Sequence, residues 1–205
     1  MKQLIIARKD LKMSPGKLAA QVSHASMAFL TKALREKERK VLDCDSIFTT
    51  RYNKEGKKEC RLFRRNDLCT WAKEAFERNE PIVYFRPVNP SNPYGQLELC
   101  EPTYHYEANI SIDTDVWENW ICGSFTKIIC EAKNKYQLEK VIDAAANLGL
   151  KEGTDYFLIK DNCLTELEPE ETDENGQGRT LTCIGFKPLP DDIVHQLSKK
   201  YQLYK

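Results

Sequence analysis

Leu4-Ile5-Ile6-Ala7 is an uninterrupted apolar run of strand length, the pattern of a strand covered on both faces. Ser14-Pro15-Gly16-Lys17 then supplies an N-cap residue and a proline suited to the first helical position, so a helix is predicted to begin there. At about 100° per residue, Leu18, Val22, Ala25 and Phe29 fall in a stripe about 60° wide, the expected buried face. Lys17, Gln21 and His24 form a second stripe roughly 110° away. Three different polar groups are thus predicted to line one edge of a packed helix.

From about Val41 to Trp120 the periodicity fades and turn signals multiply, as in Asn53-Lys54-Glu55-Gly56 and Pro90-Ser91-Asn92-Pro93-Tyr94-Gly95. Within it, Asp67–Glu80 reads as a helix capped by Asn66 or Asp67, with Leu68, Trp71, Ala72, Ala75 and Phe76 as its apolar positions. Residues 82–85 read as a strand and 117–121 as a short helix. Order then returns: 125–130 is strand-like, 135–148 helical with Gly149 as its stop, and 156–159 a second apolar strand. A strand-helix-strand unit favours parallel strands and puts function at their carboxyl ends, where Asp161 falls. Thr180–Phe186 supplies a last strand and Pro190–Lys200 a last helix. These elements add up to an α/β fold, a three-layer α/β/α sandwich with four core strands.

The 205 residues suit one domain with a full core. Lys and Arg number 31, as do Asp and Glu, so the whole-molecule field draws the chain to neither nucleic acid nor membrane. The charge is uneven, however: residues 1–40 hold ten cations against three anions, leaving 21 against 28 for the rest. Lys32–Lys40 reads as a solvated helix end, whereas Lys9, Lys12 and Lys17 surround a strand-to-helix turn and mark a local anion site. No apolar run reaches membrane-helix length, and the first residues are too quickly charged for a signal peptide, so a cytoplasmic protein with no membrane association is expected.

The eight cysteines include no pair at two-residue spacing, which argues against zinc and disulfide frameworks, and Cys130 and Cys183 read as small core residues. His105 with Glu101 and Glu107 has no further ligand at metal-site spacing. The stretch 161–179, with seven carboxylates and one cation, Arg179, matches no calcium loop and reads as solvated. No metal and no cofactor are expected. A GxSxG elbow is absent from the sequence, which leaves a covalent serine mechanism unsupported.

Residues 7–25, Ala-Arg-Lys-Asp-Leu-Lys-Met-Ser-Pro-Gly-Lys-Leu-Ala-Ala-Gln-Val-Ser-His-Ala, resemble as a whole the signature of type II peptidyl-tRNA hydrolases: an arginine, a DLKM run, a GK pair, an AAQ run and an HA pair in order. Trp120 to Ile129 resembles that family's tryptophan, glycine and second strand, and Leu148-Gly149-Leu150 the end of its next helix. Asp161 and Thr165 match the aspartate and threonine of its DAGRT segment, Thr180–Gly185 its last strand, and Tyr201-Gln202-Leu203-Tyr204 its terminal HLKL. The resemblance implies a single domain over 1–205 built from 1–40 and 117–205 around a four-stranded mixed sheet, with 41–116 an irregular α+β insertion that the ordinary family lacks. It further implies hydrolysis of the ester joining a peptide to the 3′ end of tRNA. In Asp161-Asn162-Cys163-Leu164-Thr165 the alanine, glycine and arginine of the family segment are all replaced.

Ester hydrolysis requires a positioned water, stabilisation of the tetrahedral oxyanion and a proton for the leaving ribose oxygen. In the family's register, Asp161 holds or deprotonates the water, Lys17 stabilises the developing negative charge, and Thr165 positions the water or the carbonyl. His24 orients a neighbour or relays a proton, and Gln21 is an orienting amide. Arg8 and Lys12 are assigned to phosphates of the tRNA acceptor stem, and Thr180 either lines the site or only favours its strand. The expected partner is peptidyl-tRNA, and the resemblance makes a homodimer plausible. Two other readings use the same residues: a catalytically weakened relative that binds RNA or protein through the insertion, and a hydrolase of a different acyl substrate.

Overall fold

The computed structural model describes residues 1–42, 46–52, 55–64, 83–89, 91–92, 95–101 and 104–205. The helix expected over 67–80, with Trp71, therefore lies outside the described residues, as do Tyr94 and parts of the two turn segments. In chain order the elements are β1 (Lys2–Arg8), α1 (Pro15–Lys37), β2 (Glu38–Leu42), β3 (Ser46–Tyr52), β4 (Lys58–Arg64), β5 (Val83–Pro87), β6 (Leu97–Leu99) and β7 (Tyr104–Ala108). A one-turn helix, Thr114–Val116, runs into π-helical turns over Trp117–Ser124. Then come β8 (Lys127–Ala132), α2 (Lys135–Asn147), β9 (Tyr156–Asp161), β10 (Glu171–Thr172), β11 (Gly178–Leu189), α3 (Asp191–Ser198) and β12 (Gln202–Leu203). The chain divides into two compact units, one of Met1–Glu36 with Ile110–Lys205 and one of Lys37–Asn109.

The first unit holds the mixed sheet. β1 pairs in parallel with β8 and antiparallel with β11, and β11 pairs antiparallel with β9. The two-residue strands β10 and β12 add to β11 and β8. β8 and β9 run parallel, as the strand-helix-strand pattern predicts, although β1 and β11 lie between them. The carboxyl ends of β1, β8 and β9, Arg8, Ala132 and Asp161, therefore share one edge with the start of β11.

Side-chain alternation along β1 divides the core. Leu4 and Ile6 face α2 and α3, packing with Cys130, Ile184, Phe186, Leu138, Val141 and Val194. Ile5 and Ala7 face α1, packing with Ala25 and Cys183 and with the half-buried Leu18 and Val22. The result is a three-layer α/β/α arrangement. Burial pushes the Cys130 thiol up and the Cys183 thiol up to about 12, which suits inert core residues. Trp120 is also core: its indole donates to the Thr126 carbonyl at 2.9 Å and packs on Phe29 and Phe125.

Two contacts set α1 close against the sheet. A Cβ on Gly185 would lie 2.3 Å from the Ala25 carbonyl oxygen, so only glycine permits this approach. Gln3 Nε2 donates to the Ser26 carbonyl at 2.8 Å while the Ser26 hydroxyl donates to Gln3 Oε1 at 2.9 Å, closing a buried reciprocal pair. Helix α2 starts at Asn134, whose side chain accepts from the Gln137 N–H, and Gln137 accepts from the Lys133 N–H. It stops where Gly149 takes a left-handed φ of 77°, as its position after the last periodic residue predicts.

The second unit is antiparallel. β2 pairs with β7, and a four-stranded sheet has the order β4-β3-β5-β6. The sequence predicted one strand there, whereas the described residues form six. Period-2 patterning is weak because β7 is exposed along its whole length and carries charge as well as aromatic residues. Cross-strand ion pairs, Arg39 with Glu107 and Arg86 with Glu98, stand where apolar alternation would otherwise mark the strands. Among the described residues no helix is long and apolar enough to cross a membrane.

Candidate active site

The site forms where the first turn of α1 meets the carboxyl end of β9. Ser14 caps α1, its Oγ accepting from the Lys17 N–H at 3.2 Å. Glu166 in turn accepts from the Ser14 N–H at 3.0 Å and from the Ser14 hydroxyl at 2.5 Å. The helix start and the loop after β9 are thereby latched together, and Glu166 is held below the usual carboxylate range by these donors.

Asp161 ends β9 and is 8% exposed. Its Oδ2 lies 2.7 Å from Lys17 Nζ and accepts from Gln21 Nε2 at 2.7 Å. Its Oδ1 accepts from the Cys163 N–H at 2.9 Å, a turn that Cys163 completes in the left-handed region at φ 54°. Burial raises the Asp161 carboxyl, but the Lys17 ammonium, the Cys163 N–H and the Gln21 amide outweigh it and hold the group below its ordinary value. Asp161 is therefore a carboxylate at neutral pH.

Lys17 Nζ also donates to Thr165 Oγ1 at 3.0 Å. Two of its three donors are thus fixed, which leaves the third to the cleft. Gln21 is buried, and its Oε1 accepts from the Thr182 hydroxyl at 2.7 Å, which settles the direction of its amide toward Asp161. His24 is exposed on the same helix edge. An open cleft of about 680 Å³ runs along these groups, walled by Lys17, Gln21, His24 and Arg35 from α1 and by residues of 159–165 opposite. The structure accordingly brings together Lys17, Gln21, His24, Asp161 and Thr165.

Three other candidates stand elsewhere. Arg8 is 3% exposed and donates five hydrogen bonds: two to Asp10, two to Glu170 and one to the Leu181 carbonyl. All five guanidinium N–H groups are engaged, so Arg8 has none to offer a phosphate and instead ties the acidic loop to β1. Thr180 is fully buried, its hydroxyl donating to the Glu168 carbonyl at 2.6 Å and accepting from the Glu170 N–H at 3.1 Å. It fastens the loop to β11 and does not line the cleft. Lys12 is exposed in the β1–α1 turn at φ 48°, outside the cleft walls.

The acidic stretch is largely paired, contrary to the solvated reading. Asp161, Glu166, Glu170, Glu171 and Asp173 engage Lys17, Ser14, Arg8, Lys160 and Arg179 respectively. Four of these partners are cations, which offsets part of the negative charge beside the cleft. Two residues escaped the sequence reading, Glu166 as a latch and Arg35 as a cleft wall. Arg35 was accessible in principle: it lies 18 residues, five whole turns, beyond Lys17 on the same helical stripe.

The family model described as Peptidyl-tRNA hydrolase PTH2 matches residues 1–75 and 100–204. A peptidyl-tRNA hydrolase of Methanopyrus kandleri is 47% identical over 198 residues, covering 96% of this chain and 92% of that protein. One of Staphylothermus marinus is 33% identical over 85 residues, 42% of this chain and 65% of that protein. The family model leaves residues 76–99, within the middle segment, unmatched. With the family model spanning most of its length, the chain belongs to the peptidyl-tRNA hydrolase PTH2 family and is a hydrolase.

Proposed function

We propose that the chain hydrolyses the ester between a peptide and the 3′-terminal ribose of tRNA, with Lys17 as the oxyanion-stabilising group. The observation that carries this reading is the position of Lys17 Nζ, fixed by Asp161 at 2.7 Å and Thr165 at 3.0 Å at the wall of an open cleft. A preorganised cation costs no reorganisation when negative charge develops on the carbonyl oxygen.

In the proposed reaction the peptidyl carbonyl oxygen meets the third N–H of Lys17, and a water held at Thr165 Oγ1 attacks the carbonyl carbon. His24, on the same wall, accepts the proton of that water and delivers it to the departing ribose oxygen. The depressed Asp161 carboxylate is a poor base, so its part is to keep Lys17 charged and aimed rather than to take a proton. Gln21 acts through Asp161 as a positioning amide. The products are a free peptide carboxylate and tRNA with an intact 3′ hydroxyl.

The test is release of tRNA from N-acetylaminoacyl-tRNA, with Asp161→Asn beside the parent. Turnover in the parent that falls by about 100-fold or more in the variant, with tRNA affinity little changed, supports the reading. Equal turnover in both would overturn the role of the Lys17–Asp161 pair.

A further inference from the structure

We propose that the far end of the cleft, at Arg35, is a subsite for a phosphodiester of the substrate's RNA strand upstream of the scissile ester. The inference rests on the proposed function for the identity of the RNA, and on the cleft itself for the site. Arg35 is exposed and walls the same cleft as Lys17, Gln21 and Asp161. A helix rises 1.5 Å per residue, so the 18 residues from Lys17 to Arg35 separate their backbones by about 27 Å along one line of α1. The Cα–Cβ bond of a helical residue tilts toward the helix N-terminus, which at Arg35 is the direction of His24 and the reacting end.

The charges along the cleft single out this position. Lys17 is engaged by Asp161 and Thr165, and Lys160 by Glu171 at 2.6 Å. Arg8, the arginine that the N-terminal signature offers for such a contact, is closed off by Asp10 and Glu170. Among the described residues, no ion pair or hydrogen bond engages the Arg35 side chain, so its planar fork is available for bidentate contact with phosphate. A polyanion laid from the ester at Lys17 along α1 meets its next available cation there.

This division of labour assigns chemistry to Lys17 and reach along the strand to Arg35. It also gives the molecule a means of preferring RNA-linked esters over small ones without an overall positive charge. Replacing Arg35 by alanine on an exposed helix face leaves the fold intact, because alanine is the better helix former.

The experiment compares parent, Arg35→Ala and Arg35→Lys on N-acetylaminoacyl-tRNA and on N-acetylaminoacyl-adenosine, which lacks upstream phosphates. Arg35→Ala is expected to raise KM for the tRNA substrate about five- to tenfold with kcat unchanged, and to leave the adenosine substrate unaffected. The dependence of tRNA affinity on salt is expected to become shallower, the log–log slope falling by about 0.7, the value for one single-strand phosphate. Arg35→Lys is expected to keep the parental slope while losing part of the affinity. An unchanged slope and KM in Arg35→Ala, or equal losses on both substrates, overturns the subsite. The affinity of deacylated tRNA, measured across the same salt range, tests the subsite even in a parent that hydrolyses neither ester, so the two failures remain distinguishable.

Discussion

Replacing Lys17 by methionine keeps the length of the side chain and removes its charge. In the parent, Lys17 and Asp161 are 13% and 8% exposed and 2.7 Å apart. Methionine leaves a buried carboxylate with two neutral donors, Gln21 Nε2 and the Cys163 N–H. Breaking a fully buried pair costs about 3–5 kcal/mol, and the opening of Lys17 onto the cleft reduces this to about 1.5–3 kcal/mol, the range for hydrogen bonds to charged groups. Asp161→Asn strands the ammonium instead, at a similar cost. The double variant strands neither charge, so its loss of stability should fall short of the sum of the two single losses by at least about 1.5 kcal/mol. Urea denaturation of the four proteins measures this coupling. Turnover should behave differently, falling about 100- to 1,000-fold in Lys17→Met and not recovering in the double variant, because the oxyanion donor is still missing. Additive stabilities, within about 0.5 kcal/mol, or turnover in Lys17→Met near the parental value, would refute the reasoning.

The same pair predicts an acid dependence. The folded Asp161 carboxyl sits below its ordinary value, so its contribution to stability is present above the unfolded value of about 3.9 and is lost as pH falls through the folded one. In Lys17→Met the strongest lowering contact is gone and Asp161 titrates higher, so urea midpoints measured from neutral pH into acid should fall less steeply than in the parent. Gly185→Ala puts a Cβ 2.3 Å from the Ala25 carbonyl oxygen; denaturation should show a loss of about 1–3 kcal/mol or more, with reduced turnover because α1 carries Lys17. Arg8→Met leaves Asp10 and Glu170 without their shared cation and should destabilise by about 3 kcal/mol, while the salt slope of tRNA binding stays parental.

The layers of the first unit were legible because their patterns are strong and local. β1 is a continuous apolar run, α1 begins at a Ser-Pro signal, and α2 ends at a glycine with positive φ. The meeting of Lys17 with Asp161, 144 positions apart in the chain, was readable through family resemblance, since no local rule joins a helix start to a distant strand end. The same long-range character hid the roles of Arg8, Thr180 and Glu166. An arginine at a strand end and a glutamate in an acidic loop look solvated until the sheet order brings β11 and its loop beside β1. Gln21 shows the complementary case: a polar residue at the margin of the apolar stripe is buried because Asp161 and Thr182 satisfy it. In the second unit, exposed ribbons with charged cross-strand pairs lack the alternation from which strands are recognised.

The most direct test of the central claim is a single-turnover reaction of N-acetylaminoacyl-tRNA in ¹⁸O-water, with parent and Lys17→Met at saturating protein. The account predicts that the parent releases tRNA with an unlabelled 3′ hydroxyl and an acyl carboxylate carrying one ¹⁸O atom, and that Lys17→Met does so about 100-fold or more slowly. An intact ester in the parent, or cleavage by Lys17→Met at the parental rate, would contradict it.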